Sequence, residues 1–208
     1  MTSEKHLAVD FAKVKPSVMK MQGISELTMV EHFKLYNGYV NKYNEVMEQI
    51  EASSNDDVKA GQITHSKIRS LKTALAFAIG GTINHEVYFA NLGGSGGKPS
   101  GKLLAQIEKD FGSYERFEAE FRGTAMAARG WAFLSWSWDL KRLMITIGDD
   151  QSTFPVWNSS LLLACDVYEH AYYLDFKTAR AGYLDAFFKN VDWKDIEKRF
   201  EMVAAHSK

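Results

Sequence analysis

The sequence predicts an α+β protein, all-helical over its N-terminal half and mixed over its C-terminal half. Three observations lead there. Two long stretches carry helical apolar spacing, and a dense glycine cluster ends them. Beyond that cluster, runs of aromatic and β-branched residues alternate with further helical segments.

The first 24 residues read as irregular, with Pro16 and Gly23 as punctuation. Ser25 suits the N-cap of a helix running to about Ala52. Within it Met29, Phe33, Tyr36, Val40, Tyr43, Met47 and Ile50 recur at alternating spacings of four and three, an apolar seam for a partner helix. SSNDD at 53–57 reads as a loop or turn. A second helix is expected over 66–91, with Ile68, Leu71, Leu75, Ile79 and Ile83 facing inward. Two long helices joined by a polar connection make an antiparallel hairpin.

NLGGSGGKPSG at 91–101 is the strongest boundary, dividing the chain into units 1–92 and 93–208. Its glycines do not make a phosphate loop, because no strand precedes them and no Gly-Lys-Ser/Thr follows. Lys102–Phe111 and Ser113–Arg129 read as helices. WAFLSWSW at 131–138 and RLMITIG at 142–148 then read as a β-hairpin, and SLLLACDV at 160–167 as a third, buried strand. Tyr183–Lys189 and Trp193–Ala205 return to helical spacing.

Composition narrows the function. A net charge of −1 leaves no global footprint for nucleic acid. No apolar run approaches the length of a membrane helix, and the N-terminal segment MTSEKHLAVDFAKVKP breaks its apolar residues with charges. A cytoplasmic protein is the expectation. Cys165 is the only cysteine, so there is neither an intramolecular disulfide nor a thiolate metal cluster, and it reads as a small buried hydrophobe.

Any metal site must then use nitrogen and oxygen. Asp166 ends the apolar third strand, where a carboxylate is costly to bury unless it is paired or bound to a cation. His170, four residues on, can reach the same point. Together they offer a hard oxygen and an imidazole, suited to Mn, Fe or Zn, although a structural Asp–His pair has the same sequence. His85 lies on the inner helix of the hairpin and His32 in the first helix. His6, His65 and His206 sit in polar surroundings and read as solvated.

DVYEHAYYLDF at 166–176 resembles the Asp-x-Trp-Glu-His-Ala-Tyr-Tyr signature of the iron/manganese superoxide dismutases. The resemblance spans nearly the whole chain. It takes in HFKLYNGYVNKYNE, NHEVYF, the glycine-rich segment, EKDFGSYERFEAEF, RGWAFL and AGYLDAFFKNVDW. It implies an N-terminal long α-hairpin, then an α/β domain with a three-stranded antiparallel sheet, with the metal between the two. It further implies one Mn or Fe ion per subunit, held by three histidines, an aspartate and a solvent molecule, and superoxide as substrate. His85, Asp166 and His170 match ligand positions. Glu169 matches the glutamate that reaches a partner's ligand histidine, and Tyr173 an interface tyrosine, so a homodimer or homotetramer is implied.

Three departures stand out. In the family the first ligand histidine lies eight residues before the helix tyrosine, with another histidine midway. Here Glu31 lies eight before Tyr39 and His32 seven. A rigid count puts Glu31 in place of the ligand histidine, whereas one residue lost from a helical bulge makes His32 the ligand. Geometry favours it, because i to i+7 nearly aligns on a helix whereas i to i+8 turns by about 80°. The midway histidine is absent, and Tyr36 or Leu35 stands in that gateway region. Tyr168, Phe89 and Phe133 stand where the family has tryptophans.

The resemblance also assigns Tyr39 to the mouth of the site, in contact with Gln151 of IGDDQSTFP, where manganese-type members place a glutamine. Gly81, four residues before His85, matches the small residue those members carry, and this pair favours Mn over Fe. The competing reading is a non-catalytic homologue with altered metal binding, suggested by the shortened first-helix spacing.

Overall fold

A computed structural model describes residues 4–152 and 158–206 of the chain. After a short helix α1 (Phe11–Val14) and a 3-10 turn (Pro16–Met19), α2 (Glu26–Glu51) and α4 (Lys67–Ala90) form the hairpin, with α3 (Asn55–Lys59) at its tip. Then come α5 (Gly101–Phe111) and α6 (Tyr114–Ala127). The strands are β1 (Trp131–Ser137), β2 (Arg142–Gly148) and β3 (Ser159–Asp166). A 3-10 turn (Glu169–Ala171) leads to α7 (Tyr173–Phe176), α8 (Arg180–Lys189) and α9 (Trp193–His206).

The hairpin follows from its caps. Ser25 and Ser66 each accept a backbone N–H from three residues on, and so define where α2 and α4 begin. SSNDD is not a plain loop. Ser54 and Asp57 form a reciprocal capping box that nucleates α3. Residues 4–24 likewise contain one helical and one 3-10 turn, too short for periodicity to show. Ile83 does not face inward; it is 47% exposed. The buried face of α4 instead runs through Leu71, Ala78, Asn84, His85, Tyr88 and Phe89.

The sheet is antiparallel, in the order β2-β1-β3, and β1 is buried along its whole length. Its first residue, Trp131, pairs with Asp166, so the end of β3 is fixed by the start of β1. A register shift between Leu134 and Ser135 lets β3 bend. One continuous core joins the halves, from Phe11, Val18 and Met29 through Phe117, Trp131 and Phe187 to Ile196 and Phe200.

The glycine-rich segment turns tightly and is not loose. Leu92 is buried and bridges Val191, and the Gly94 and Gly96 N–H groups donate to the Asn190 and Val191 carbonyls at 3.0 and 3.1 Å. A Cβ on Gly94 would lie 2.5 Å from the Val191 carbonyl oxygen, so two backbones pass here at a distance only glycine allows.

Candidate metal centre

Three structural elements converge on Asp166. Its position is set by the β1 register, by Tyr183 Oη donating to its backbone carbonyl at 2.7 Å, and by the Tyr168 N–H donating to Oδ1 at 2.9 Å. That last bond turns the chain out of β3 into the 3-10 turn carrying His170. The other carboxylate oxygen, Oδ2, lies 3.1 Å from His32 Nε2, 3.0 Å from His170 Nε2 and 3.4 Å from His85 Nε2. The four ligand atoms fall within 4.8 Å of one another.

Helix α2 is a continuous α-helix through this region, and it buries His32. Glu31 points away, with Oε1 2.6 Å from Lys34 Nζ and its side chain 48% exposed. His85 is locked from behind, its Nδ1 donating to the Gly81 carbonyl at 2.5 Å. That bond leaves Nε2 facing the cluster as an acceptor, buried and without a hydrogen-bond partner. A buried lone pair beside a carboxylate and two more imidazoles is what a cation lacks and these residues supply. The residues fit a metal. Three nitrogens and one oxygen suit Mn, Fe or Zn.

Burial shapes the electrostatics. It pushes the His85 pKa down to about 3, with His32 as a second lowering influence, and it also lowers that of His32. Burial would raise Asp166, but the charge of His170 and the hydrogen bonds of His170 and His32 hold it well below the usual carboxylate range. His170 feels the same burial, yet Asp166 outweighs it and raises its pKa. In the metal-free protein, His85 and His32 stay neutral in the fold and take up protons once unfolded. Stability therefore falls as pH drops below about 6.5 toward 3. His170 acts oppositely, adding stability at low pH that is lost as pH rises through its folded pKa. Between pH 7 and pH 5 Asp166 is ionised in both the folded and the unfolded chain, so the balance there lies with the histidines, two lowered against one raised. The urea midpoint of metal-free protein is expected to be lower at about pH 5 than at about pH 7; an unchanged midpoint contradicts this balance.

Around the four residues lies an aromatic shell. Phe89 packs edge-on to His32 at 5.0 Å, Tyr168 stacks on His170 at 5.3 Å, and Trp131 meets His85 edge-on at 5.1 Å. Gln151, from the loop after β2, is buried. Its Oε1 accepts from Trp131 Nε1 at 3.1 Å, and its Nε2 donates to Tyr39 Oη at 3.4 Å. Residues 153–155 of the same loop lie outside the described residues. Tyr39 is half-buried, and burial, reinforced by the charge of Asp166, raises its pKa. Tyr36 is buried and Leu35 partly so, whereas Glu169 is exposed and Tyr173 is 44% exposed.

Two other residues matter here. In the sequence Trp131 and Tyr183 read only as core aromatics, and nothing local shows that they hold Gln151 and Asp166. His6 is not simply solvated: its Nε2 lies 2.7 Å from Glu86. His65 and His206 are exposed, and Cys165 is buried.

A helical hairpin packs on an α/β unit with a three-stranded antiparallel sheet, and among the described residues the two enclose one His₃Asp group that could hold a metal ion through nitrogen and oxygen. Residues 12–93 match the family model for the iron/manganese superoxide dismutase alpha-hairpin domain, and residues 99–199 that for the C-terminal domain. The chain is 38% identical over 183 residues to "Superoxide dismutase [Fe]" of Aquifex pyrophilus, covering 87% of this chain and 86% of that one. It is 36% identical over 181 residues to "Superoxide dismutase [Fe]" of Methanothermobacter thermautotrophicus, covering 85% of each. To "Superoxide dismutase [Mn]" of Mycobacterium intracellulare it is 34% identical over 204 residues, covering 96% of this chain and 91% of that one. The chain belongs to the iron/manganese superoxide dismutase family.

Proposed function

We propose that the protein is a superoxide dismutase, converting two superoxide ions and two protons to dioxygen and hydrogen peroxide. The observation that carries this reading is the buried convergence of three imidazole nitrogens on one carboxylate oxygen. His32, His85, Asp166 and His170 are the residues that would hold the metal. A manganese or iron ion, when bound, supplies the one-electron redox change by alternating between its +3 and +2 states.

The chain's own residues do the rest. Neutral imidazoles bind a cation without first losing protons, and the lowered pKa values of His32 and His85 keep them neutral at pH 7. Asp166 stays ionised and contributes the one negative charge. The aromatic shell of Phe89, Trp131 and Tyr168 keeps the local dielectric low, which strengthens each charge interaction inside it. Tyr39 remains protonated, so its hydroxyl is a proton donor at the edge of the site, and Gln151 Nε2 holds it there.

Within this reading manganese is preferred. Gly81 leaves room for Tyr39, since a Cβ at Gly81 would come within 2.5 Å of the Tyr39 ring. Tyr39 can then meet a buried Gln151 from the sheet side. The working unit is a homodimer or a homotetramer of such dimers, with Glu169 reaching the partner subunit's ligand histidine. Support comes from an exposed Glu169, a His170 side chain 32% exposed, and the exposed apolar residues Tyr173 and Leu174 beside them. We divide the chain at the glycine-rich segment, 1–92 and 93–208, with each part supplying two of the four ligands.

His32 and Glu31 provide the test. His32→Ala is expected to lose stoichiometric Mn or Fe and to retain less than about 1% of superoxide consumption, as removal of a direct ligand does more than the ~10–100-fold typical of supporting residues. Glu31→Ala is expected to keep both. Activity that survives in His32→Ala and disappears in Glu31→Ala would reverse the ligand assignment.

A further inference from the structure

The family resemblance leaves Glu86 and His6, near the site, without a role. Glu86 follows His85 directly on α4, and Tyr36 lies one turn beyond His32 on α2. Tyr36 Oη donates to Glu86 Oε1 at 2.7 Å, which ties the two ligand-bearing helices together at the level of the ligands. The same carboxylate oxygen lies 2.7 Å from His6 Nε2, and because a carboxylate only accepts, that nitrogen carries the hydrogen. The Val9 N–H donates to Tyr36 Oη at 3.0 Å, so the phenol has both a donor and an acceptor partner. His6 is itself gripped from two sides. Its backbone N–H donates to Asn44 Oδ1 at 2.9 Å, and its carbonyl accepts from Asn44 Nδ2 at 2.8 Å.

The N-terminal segment thus lies as a strap across the hairpin, with Glu86 as its buckle. On the ligand side, the buried Tyr36 ring packs 5.8 Å from Phe89, and Phe89 packs 5.0 Å from His32. Movement of Tyr36 is therefore passed through close-packed rings to a ligand.

We propose that Glu86 is a positioning residue: joined to His6 on the strap and to Tyr36 on α2, it fixes the spacing of the two helices and so holds His32 and His85 in place for the metal. This rests on the reading of the four residues as a metal site.

The test is metal retention in full-length protein. Wild type, Glu86→Leu, Glu86→Gln and Tyr36→Phe are loaded with Mn, and its loss to excess EDTA is timed well below the unfolding temperature of every variant. Glu86→Leu should release Mn about 10-fold faster or more, the scale seen when support of a ligand is lost. Glu86→Gln, whose amide oxygen still accepts both bonds, should stay within about 3-fold of wild type, a rescue that bulk packing alone would not distinguish. Tyr36→Phe keeps the ring and loses the tie, and should also release faster; it serves if Glu86→Leu does not fold. Wild-type release from Glu86→Leu or Tyr36→Phe, or Glu86→Gln as fast as Glu86→Leu, overturns the proposal. Wild-type protein that takes up neither Mn nor Fe overturns the metal-site reading itself, a separate and recognisable failure; if Fe alone loads, the same release series is timed with Fe.

Discussion

Asp166→Asn is expected to yield folded protein that binds neither Mn nor Fe stoichiometrically. The substitution keeps the side-chain shape and leaves Oδ1 able to accept the Tyr168 N–H, so the turn out of β3 survives. It removes the one negative charge among four ligand atoms and the oxygen on which three Nε2 atoms converge. A neutral amide oxygen is a far poorer ligand for a hard cation, and the affinity loss should exceed about 100-fold, beyond that for a supporting residue. Metal content after dialysis, with circular dichroism as the check on folding, reads this. An Asp166→Asn variant that retains one ion per chain contradicts the assignment of Asp166 as a ligand.

Gly80→Ala should be nearly as damaging, although Gly80 carries no chemistry. A Cβ at Gly80 would fall 1.6 Å from the backbone oxygen of Gln151. Neither partner is a flexible side chain: one is the axis of α4 and the other the loop that presents Gln151. Either α4 or that loop must move. The cost is about 3 kcal/mol, or about 6–12 °C in Tm for a chain of this size. Displaced with the loop would be the Trp131–Gln151 bond and the Gln151–Tyr39 contact, so activity should fall more than metal content. Gly38→Ala is the control, because nothing lies within 4 Å of its added Cβ. Relieving glycine inside α2 should leave the protein unchanged or stabilise it by up to about 1 kcal/mol. Equal melting shifts in the two variants would show that close approach at Gly80 does not matter.

These two variants mark what local sequence can and cannot show. Asp166 is visible because a carboxylate ending an apolar strand is physically conspicuous, and His170 follows four residues on. The hairpin is visible too, since the period of three and four is strong in α2 and serine caps open both helices. Helix α3 escapes notice, because five residues carry no period and its signal lies in the Ser54–Asp57 pair. Ile83 is misplaced by its hydrophobicity because near its end α4 buries Asn84, His85, Val87 and Tyr88. The inward face there is partly polar, and apolar character alone points to the wrong side.

His32 shows a different limit. Its spacing to Tyr39 departs from the family pattern, and this departure is the ground for considering a non-catalytic homologue. A continuous α-helix with one residue fewer still delivers a buried imidazole to Asp166, 3.1 Å away. Gln151, Trp131 and Glu86 are harder again. Their partners lie 20 residues or more away in the chain, or on another helix, and no local pattern encodes such contacts. Gln151 can be singled out only through the family resemblance; the loop alone suggests an exposed amide.

A redox metal held by His32, His85, Asp166 and His170 is tested most directly by measuring metal content and superoxide consumption on one purified wild-type preparation. One Mn or Fe per chain is expected, with superoxide consumption that rises in proportion to that occupancy. Stoichiometric Mn or Fe with no superoxide consumption would contradict it.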